Sequence, residues 1–355
     1  MKVLYFGTYE RSYPRNAQVI SCLRRAGVEV AERHETVWDG REHKFGAGAG
    51  AALRLAAAEL RLLRAGDSQF DALVVGYPGH LDLPAARRVA KGRPVVFNPL
   101  VSLADTLVGD RGRFRPGSRA ARALETIDRR AFGAADLVVA DTEAHAPLFR
   151  SLGARRVEVC LVGAEERLFT PGWARPAGGG LTALFVGKLI PLHGLEIILA
   201  AARLAPDLRF RVVGSGQLRP LLDRRPPNVE HVEWVDYELL PGELGRAACA
   251  LGIFGTSAKA ARVIPNKAFQ ALACGTPLVT ADTPAARELL RDGESALLIP
   301  PGDPRSLAAA LRRLAEDEEL LRRLSIGGLA AYREHASEDV LGARWRGLIE
   351  HVTTA

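Results

Sequence analysis

Short apolar runs recur along the whole chain, each followed by a stretch with helical spacing. Lys2–Gly7 reads as a first buried strand, and Val19, Leu23 and Ala26 then recur at helical intervals that stop at Gly27. Strands at Val28–Val30, Ala72–Val75, Val95–Phe97, Leu137–Ala140 and Val157–Val162 continue the rhythm, with an amphipathic helix over Leu53–Leu63 carrying Arg54, Arg61 and Arg64. Apolar runs without polar alternation belong to strands buried on both faces, so the pattern predicts a mainly parallel sheet covered by helices on both sides. The rhythm breaks at Gly172–Gly180, GWARPAGGG, which has linker composition. It restarts at Leu181–Gly187, with further strands at Phe210–Val213, Val229–Val235, Leu251–Phe254, Leu278–Thr280 and Leu297–Ile299. The chain therefore reads as two doubly wound α/β domains, 1–163 and 181–335, joined by a linker at 164–180. A last helix over Ser337–Val352, within residues 336–355, places Leu341, Trp345, Leu348 and Val352 on one stripe. That stripe has to be buried, and is expected to return to the first domain.

Candidate chemistry is densest from Ala250 to Ala281. Pro265 and Asn266 open a helix there, Pro by its fixed φ and Asn as a cap, while Gly275 closes it and Pro277 blocks its continuation. Lys267 falls in the first turn, where a cation opposes the helix dipole unless an anion binds. Ser257, Lys259 and Arg262 add donors from the preceding loop. On this stretch alone, phosphate binding and a solvated basic turn both stay open. Two more strand ends carry glycines: LFVGKLIPLHG, with Gly187, Lys188, His193 and Gly194, and VVGSG, with Gly214 and Gly216. Glycine permits close backbone approach to a ligand, and three such ends in one sheet point to a diphosphate site. His193 taken singly is as well structural as functional; beside Lys188 it is a candidate phosphate donor. Trp234, followed by Val235, either borders a base pocket or fills the core.

The first strand ends in GTYERSYPRN, where Gly7 precedes Tyr9, Arg11, Tyr13, Arg15 and Asn16. The spacing is not G-x-G-x-x-G, so nothing here licenses a dinucleotide; the loop is either substrate-facing or an ordinary connection.

Composition narrows the function. The chain has 355 residues, 48% of them hydrophobic, enough for two cores. Cys22, Cys160, Cys249 and Cys274 are scattered without metal-ligand spacing, which fits reduced thiols in a cytoplasmic protein and argues against structural zinc. No run reaches the length of a membrane span. The net charge of +7 permits anionic partners, but aromatic residues are 6% and not interleaved with the basic runs, which argues against nucleic acid. Between Arg111 and Arg130 stand seven arginines against Glu125 and Asp128, on a helix with Ala120, Leu124 and Ile127 on one side. Such a helix either rests on anionic lipid at the inner face of a membrane or simply solvates its charges.

On these motifs the second half resembles the glycosyltransferases of family 4, a retaining family with the GT-B fold. The matching stretches are VGKLIPLHGLEIILAA, FRVVGSGQL, VIPNKAFQALACGTPLV and DGESALLIPPGDPRSLAAAL; FGTYERSYPRN, ADTEAHAPLF and CLVGAEERLFTPG fit more loosely in the first half. The P-L-H-G and I-P-N-K combination looks like a subgroup. The resemblance implies GT-B architecture, with two Rossmann-like domains facing a cleft. It implies a retaining transfer from a nucleotide-diphosphate sugar, as co-substrate, to a hydroxyl of a small-molecule, glycan or lipid-linked acceptor, with no cofactor and no metal. Lys188 stands where the family has a phosphate-binding Arg or Lys, and His193 replaces the Lys of its K-G pair; with Lys267 they would neutralise the leaving diphosphate. Gly7, Gly187, Gly214, Gly216, Trp234, Val235, Asn266 and Gln270 would contact the donor, and Tyr9, Arg11, Arg15 and Asp105 would lie on the acceptor side. The family's paired glutamates, eight positions apart, are absent: Gln270 stands at the second position, and Arg262, or Ala260 counted from the proline, at the first. Two rivals are an epimerase or hydrolase of the same fold, using acids such as Glu10, Asp105 or Asp141, and a non-catalytic sugar-nucleotide-binding subunit.

Overall fold

The computed structural model of the protein describes residues 1–11, 13–37, 49–64, 69–172 and 181–354. Residues 173–180 of the expected linker lie outside the described residues. The chain forms two compact units: Met1–Val108 with Gly112–Leu161 and Glu338–Ala355, and Gly109–Arg111 with Val162–Ser337.

The first unit runs β1 (Lys2–Gly7), α1 (Pro14–Arg25), β2 (Glu29–His34), α2 (Ala49–Arg64), β3 (Ala72–Val75), α3 (Leu83–Ala90), β4 (Val95–Phe97), a π-helical turn at Asp105–Asp110, α4 (Arg119–Ala134), β5 (Leu137–Ala140), α5 (Ala146–Ser151) and β6 (Val157–Val159). Its six strands lie in the order β2-β1-β3-β4-β5-β6, all parallel. The central strands are apolar on both faces, as the sequence pattern requires. Beginning at Glu29, β2 is longer than expected and carries Glu32, Arg33 and His34; it is an edge strand, so polar side chains do not break it.

The second unit runs β7 (Thr182–Val186), α6 (Leu195–Leu204), β8 (Arg209–Val213), β9 (Val229–Val232), α7 (Leu240–Arg246), β10 (Cys249–Leu251), α8 (Asn266–Ala273), β11 (Leu278–Ala281), β12 (Leu297–Ile299), α9 (Pro304–Glu316) and α10 (Glu318–His335). Its sheet order is β12-β11-β10-β7-β8-β9, again all parallel. Leu195, Ile198, Leu311, Leu314 and Leu324 from α6, α9 and α10 bury one face of it around Phe185, Phe210 and Leu251. Pro265 and Asn266 exchange their expected places: Pro265 is the N-cap, with ψ of 151°, and Asn266 the first helical residue. Gly275 follows α8 at φ +71°, as a left-handed helix terminator should.

The last helix, α11 (Glu338–Thr354), belongs to the first unit. Leu341, Trp345, Leu348 and Ile349 pack with Val19, Ile20 and Leu23 of α1. Gly342 sits where a Cβ would meet the Cys22 carbonyl oxygen at 2.5 Å, so only glycine lets the two helices close to this distance. Beneath Trp345 lies Arg15, fully buried and 5.6 Å from the indole centroid. Its guanidinium donates to Asn98 Oδ1 at 3.1 Å, to the Leu161 carbonyl at 2.8 Å and to the Cys160 carbonyl at 3.2 Å. Arg15 therefore braces the core of the unit and is not an exposed acceptor-side group; buried carbonyls beyond the end of β6 need donors, and a guanidinium supplies several at once.

Asp128 is a second charge that the sequence pattern misplaces. It is not on the solvated rim of α4 but fully buried, accepting from Ser102 Oγ at 2.6 Å and from the amides of Leu103 and Ala104 at 2.9 Å. Among the described residues no helix is long and apolar enough to cross a membrane.

Replacing Trp345 by Ala should lower the unfolding free energy by about 3–5 kcal/mol, the usual cost of emptying an aromatic site in a core. Urea unfolding of the full chain measures it; a loss below about 1 kcal/mol would mean that α11 does not hold the first unit together.

Candidate active site

In an open parallel sheet, ligands bind where the strand order reverses, outside the carboxyl ends of the strands. Each unit has one such point, and the two are furnished differently. In the first unit it lies between β1 and β3. Backbone and side chain of Thr8 already have an anion there: the Thr8 amide donates to Asp82 Oδ2 at 2.7 Å and the Thr8 hydroxyl to Oδ1 at 2.9 Å. Gly7, at φ +126°, is required by this carboxylate, because a Cβ would lie 2.2 Å from Asp82 Oδ2. Glu59 borders Asp82, and its carboxyl is pushed up to about 9, first by desolvation and then by Asp82. The chain thus closes its first switch point with its own acids, and Gly7 serves that closure rather than a donor.

In the second unit the reversal lies between β7 and β10, and a buried lysine amine occupies it. Lys267, in the first turn of α8, is buried, and its Nζ has no hydrogen-bond partner among the described residues. The ammonium position is 3.4 Å from the centroid of the Phe185 ring, at the end of β7. Gly187, at φ +145°, faces it: a methyl group added there would stand 3.0 Å from Lys267 Nζ and 3.4 Å from Cε1 of His193. Phe185, Gly187, His193 and Lys267 are therefore one cluster. Burial pushes the Lys267 amine well below the ordinary lysine range. His193 is buried too, held well below its usual value by desolvation first and then by Lys267. Its Nδ1 faces the Lys188 carbonyl oxygen. A carbonyl can only accept, so Nδ1 carries the proton and the neutral ring presents Nε2 as an acceptor. In the free chain His193 therefore offers an acceptor at Nε2, with the buried Lys267 amine of α8 beside it.

Gly214 and Gly216 answer to neighbouring loops. At φ +137° Gly214 brings its α-carbon so close to the β7 loop that a Cβ would lie 2.0 Å from the Gly187 carbonyl oxygen, and one on Gly216 would lie 2.9 Å from the Leu189 backbone. They let the β7 and β8 loops stack, which fixes Gly187 under Lys267. Lys188 is exposed at the same strand end, and Asn266 is half-buried beside Lys267. Gln270, a turn further along α8, is buried with Nε2 3.4 Å from the Tyr237 hydroxyl. Trp234 is not in the core: it lies beyond β9, 76% exposed, its indole N–H donating to Asp236 Oδ1 at 3.1 Å. With Val235, Asp236, Glu238 and Arg246 it borders a surface concavity of about 350 Å³.

On the first unit, Tyr9 is buried and donates to Glu32 Oε2 at 2.8 Å, and Arg11, exposed, reaches the same carboxylate at 3.1 Å. Asp105 is half-buried at the start of the π-helical turn, its amide donating to Ser102 Oγ at 3.1 Å. Asp141 accepts from Nδ1 of the buried His145 at 2.6 Å. These residues do not converge on one point in the way the Lys267 cluster does. Sequence reading missed Phe185, Asp82 and Glu59: an apolar strand residue and two acids on helical segments carry no local sign of a site. Among the described residues no group of three or more His, Cys, Asp or Glu side chains is placed to hold a metal ion.

Residues 180–317 match the family model described as Glycosyl transferases group 1. Over the whole chain the fold is similar to sucrose-phosphate synthase from Thermosynechococcus elongatus, with a TM-score of 0.76 and 16% identity over 99% of both chains. It is also similar to Anabaena HepE, solved in complex with UDP-glucose, with a TM-score of 0.72 and 17% identity over 99% of this chain and 100% of that one. The fold is therefore GT-B, as the motifs imply. Phosphatidyl-myo-inositol mannosyltransferase of Mycobacterium leprae is 31% identical over 166 residues, 44% of this chain and 43% of the relative. The chain spans about half the length of the curated relatives it matches.

A buried amine without a partner is a cost that the free chain carries. Lys267→Met should raise the unfolding free energy at neutral pH by about 1–3 kcal/mol, since it removes an unsatisfied polar group from an apolar setting. The sign of the pH dependence follows from the depressed amine. Below the ordinary lysine range the unfolded chain binds the proton and the folded chain does not, so Lys267 makes stability rise with pH through that window. The Met variant should lose this slope. Urea titrations at neutral and alkaline pH test both; a variant less stable than wild type at every pH would refute the reading.

Proposed function

We propose that the chain is a retaining glycosyltransferase that moves a sugar from a nucleotide-diphosphate sugar to a hydroxyl acceptor, with the diphosphate at the Lys267 cluster of the second unit. The observation that carries this is the buried Nζ at a sheet switch point, unpartnered among the described residues and carried on the first turn of a helix that has no side-chain cap. A leaving diphosphate brings negative charge to that point, and a group already desolvated there stabilises it without reorganising. Lys188 adds a second charge from solvent, and His193 Nε2 accepts from a sugar hydroxyl. Gln270 bonds the ribose in place of the family's glutamate, and Trp234 with Val235 borders the base. The charge comes from side chains, so the reaction as proposed uses no bound metal. The domain reading is 1–163 for the acceptor, with Tyr9, Arg11 and Asp105 on its edge, 164–180 as the linker and 181–335 for the donor. The printed description of HepE with UDP-glucose supports a nucleotide-diphosphate sugar as donor. The relatives named for phosphatidyl-myo-inositol and for D-inositol 3-phosphate support a hydroxyl acceptor that is either lipid-linked or a small molecule. Four free, buried cysteines support a cytoplasmic setting.

A bound diphosphate should recharge Lys267, so binding takes up a proton. Calorimetric titration of UDP in buffers of different ionisation enthalpy should show net proton uptake in wild type, with affinity falling as pH rises. Lys267→Met should abolish the uptake and weaken UDP roughly 10–150-fold, the loss of a charge-assisted hydrogen bond. Unchanged affinity in the folded variant would refute the diphosphate site.

Gln270→Leu should weaken UDP-glucose, because ribose hydroxyls would then face an apolar group, and should leave inorganic diphosphate unaffected. Equal UDP-glucose affinity for the variant and wild type would place Gln270 in the core alone.

A further inference from the structure

The basic charge of the first unit is not spread evenly over its two faces. Helices α2, α3 and α4 form one layer, packing Leu62, Ala86 and Phe132 on the sheet face made by Phe6, Val75, Phe97 and Val138. Helices α1 and α11 cover the other face. On that second face the arginines are matched by acids: Arg25 pairs with Asp339, Arg344 with Glu158 and Arg346 with Glu350. On the first, Arg54 and Arg64 of α2, Arg88 of α3, and Arg119, Arg122 and Arg129 of α4 are all exposed, and their guanidinium groups meet no carboxylate among the described residues. Arg61 and Arg87 do pair, with Glu35 and Asp136. Of the acids on these helices, Glu59 turns inward beside Asp82 and Glu125 stays in solvent.

The same layer exposes apolar side chains. Leu53 is 74% and Leu60 52% exposed. They are seven residues apart, so they share one side of α2, opposite the buried Ala58 and Leu62. Arg64 continues their ridge. A helix apolar on its outer side as well as its inner one, with arginines along the outer ridge, is partnered on the inner side only.

We propose that the α2–α3–α4 layer is a docking face for an anionic lipid bilayer, on which Leu53 and Leu60 enter the headgroup–acyl boundary and the unpaired arginines meet lipid phosphates. Charge complementarity selects an anionic partner, and the leucines select a bilayer over nucleic acid. Phosphate grooves reward arginine but offer no apolar phase for a projecting leucine, and among the described residues no exposed aromatic side chain stands with these arginines to stack on a base. Helix α4 falls within the basic stretch that the sequence singles out; α2, which supplies the apolar contact, does not.

The full chain would be sedimented with vesicles of phosphatidylcholine alone and of equal parts phosphatidylcholine and phosphatidylglycerol, at low and high salt. Binding should favour the anionic vesicles by about tenfold or more and fall away at high salt. Arg122→Glu with Arg129→Glu should remove that preference. Leu53→Ser with Leu60→Ser should weaken binding at low salt while leaving thermal unfolding and UDP affinity as in wild type, which separates this face from the Lys267 site. Equal binding to both vesicle types, or wild-type binding by either folded double variant, would overturn the proposal. So would a DNA duplex that displaces the vesicles and binds the leucine variant as well as the wild type.

Discussion

A lysine amine held out of water with nothing to bond it is the constraint around which the second unit is built. Lys267 could be rid of its cost by a neighbouring carboxylate, and among the described residues the fold pairs it with none: the Phe185 ring, the bare α-carbon of Gly187 and His193 stand beside it. Each neighbour depends on something further out. Gly187 holds its place because Gly214 and Gly216 let the next loop lie directly against it. His193 is oriented by the Lys188 carbonyl. The helix that carries Lys267 starts at Asn266 because Pro265 sets the chain direction just before it. Remove any of these supports and the amine finds water or another partner; the site is defined by what has been kept away from it.

The two units make the same sheet and spend its switch point in opposite ways. Where the second leaves a buried amine without a partner among the described residues, the first matches amide, hydroxyl and carboxylate through Thr8 and Asp82, with Glu59 beside them, its carboxyl pushed up to about 9. One crevice is electrostatically complete and the other is not. An anionic ligand gains from entering the second and would have to displace a carboxylate from the first. This asymmetry gives a physical reason for assigning the diphosphate to the second unit, apart from the sequence likeness of residues 180–317 to a glycosyltransferase family model.

Much of this was legible in the sequence because burial on both faces writes itself as uninterrupted apolar runs. The central strands β3, β4, β5 and β11 fall where those runs fall, within a residue. Edges were less legible. Solvent on one side frees β2 to be polar, and β9 stops at Val232 although apolar and aromatic residues continue to Val235. Side-chain polarity misled where a charge is internal: Arg15 and Asp128 look like surface residues in a sequence, yet each satisfies backbone groups that no helix or strand partner reaches. Lys267 was visible as a first-turn cation. Its burial was not, because burial depends on Phe185, eighty-two positions earlier in the chain.

The glycines carry the same lesson in a sharper form. A glycine at a strand end signals close approach, and sequence alone does not say approach to what. At Gly7 it is Asp82, at Gly214 and Gly216 the adjoining loop, and only at Gly187 do two ionisable side chains converge on the space a Cβ would fill. The first three are internal packing, and the fourth borders the open position. So the motif locates the sheet edge, and the requirement for glycine at three of the four positions is met within the protein itself. What distinguishes Gly187 is the unsatisfied amine beside it. A buried amine without a partner, rather than a glycine, is what marks the place where something else is meant to bind.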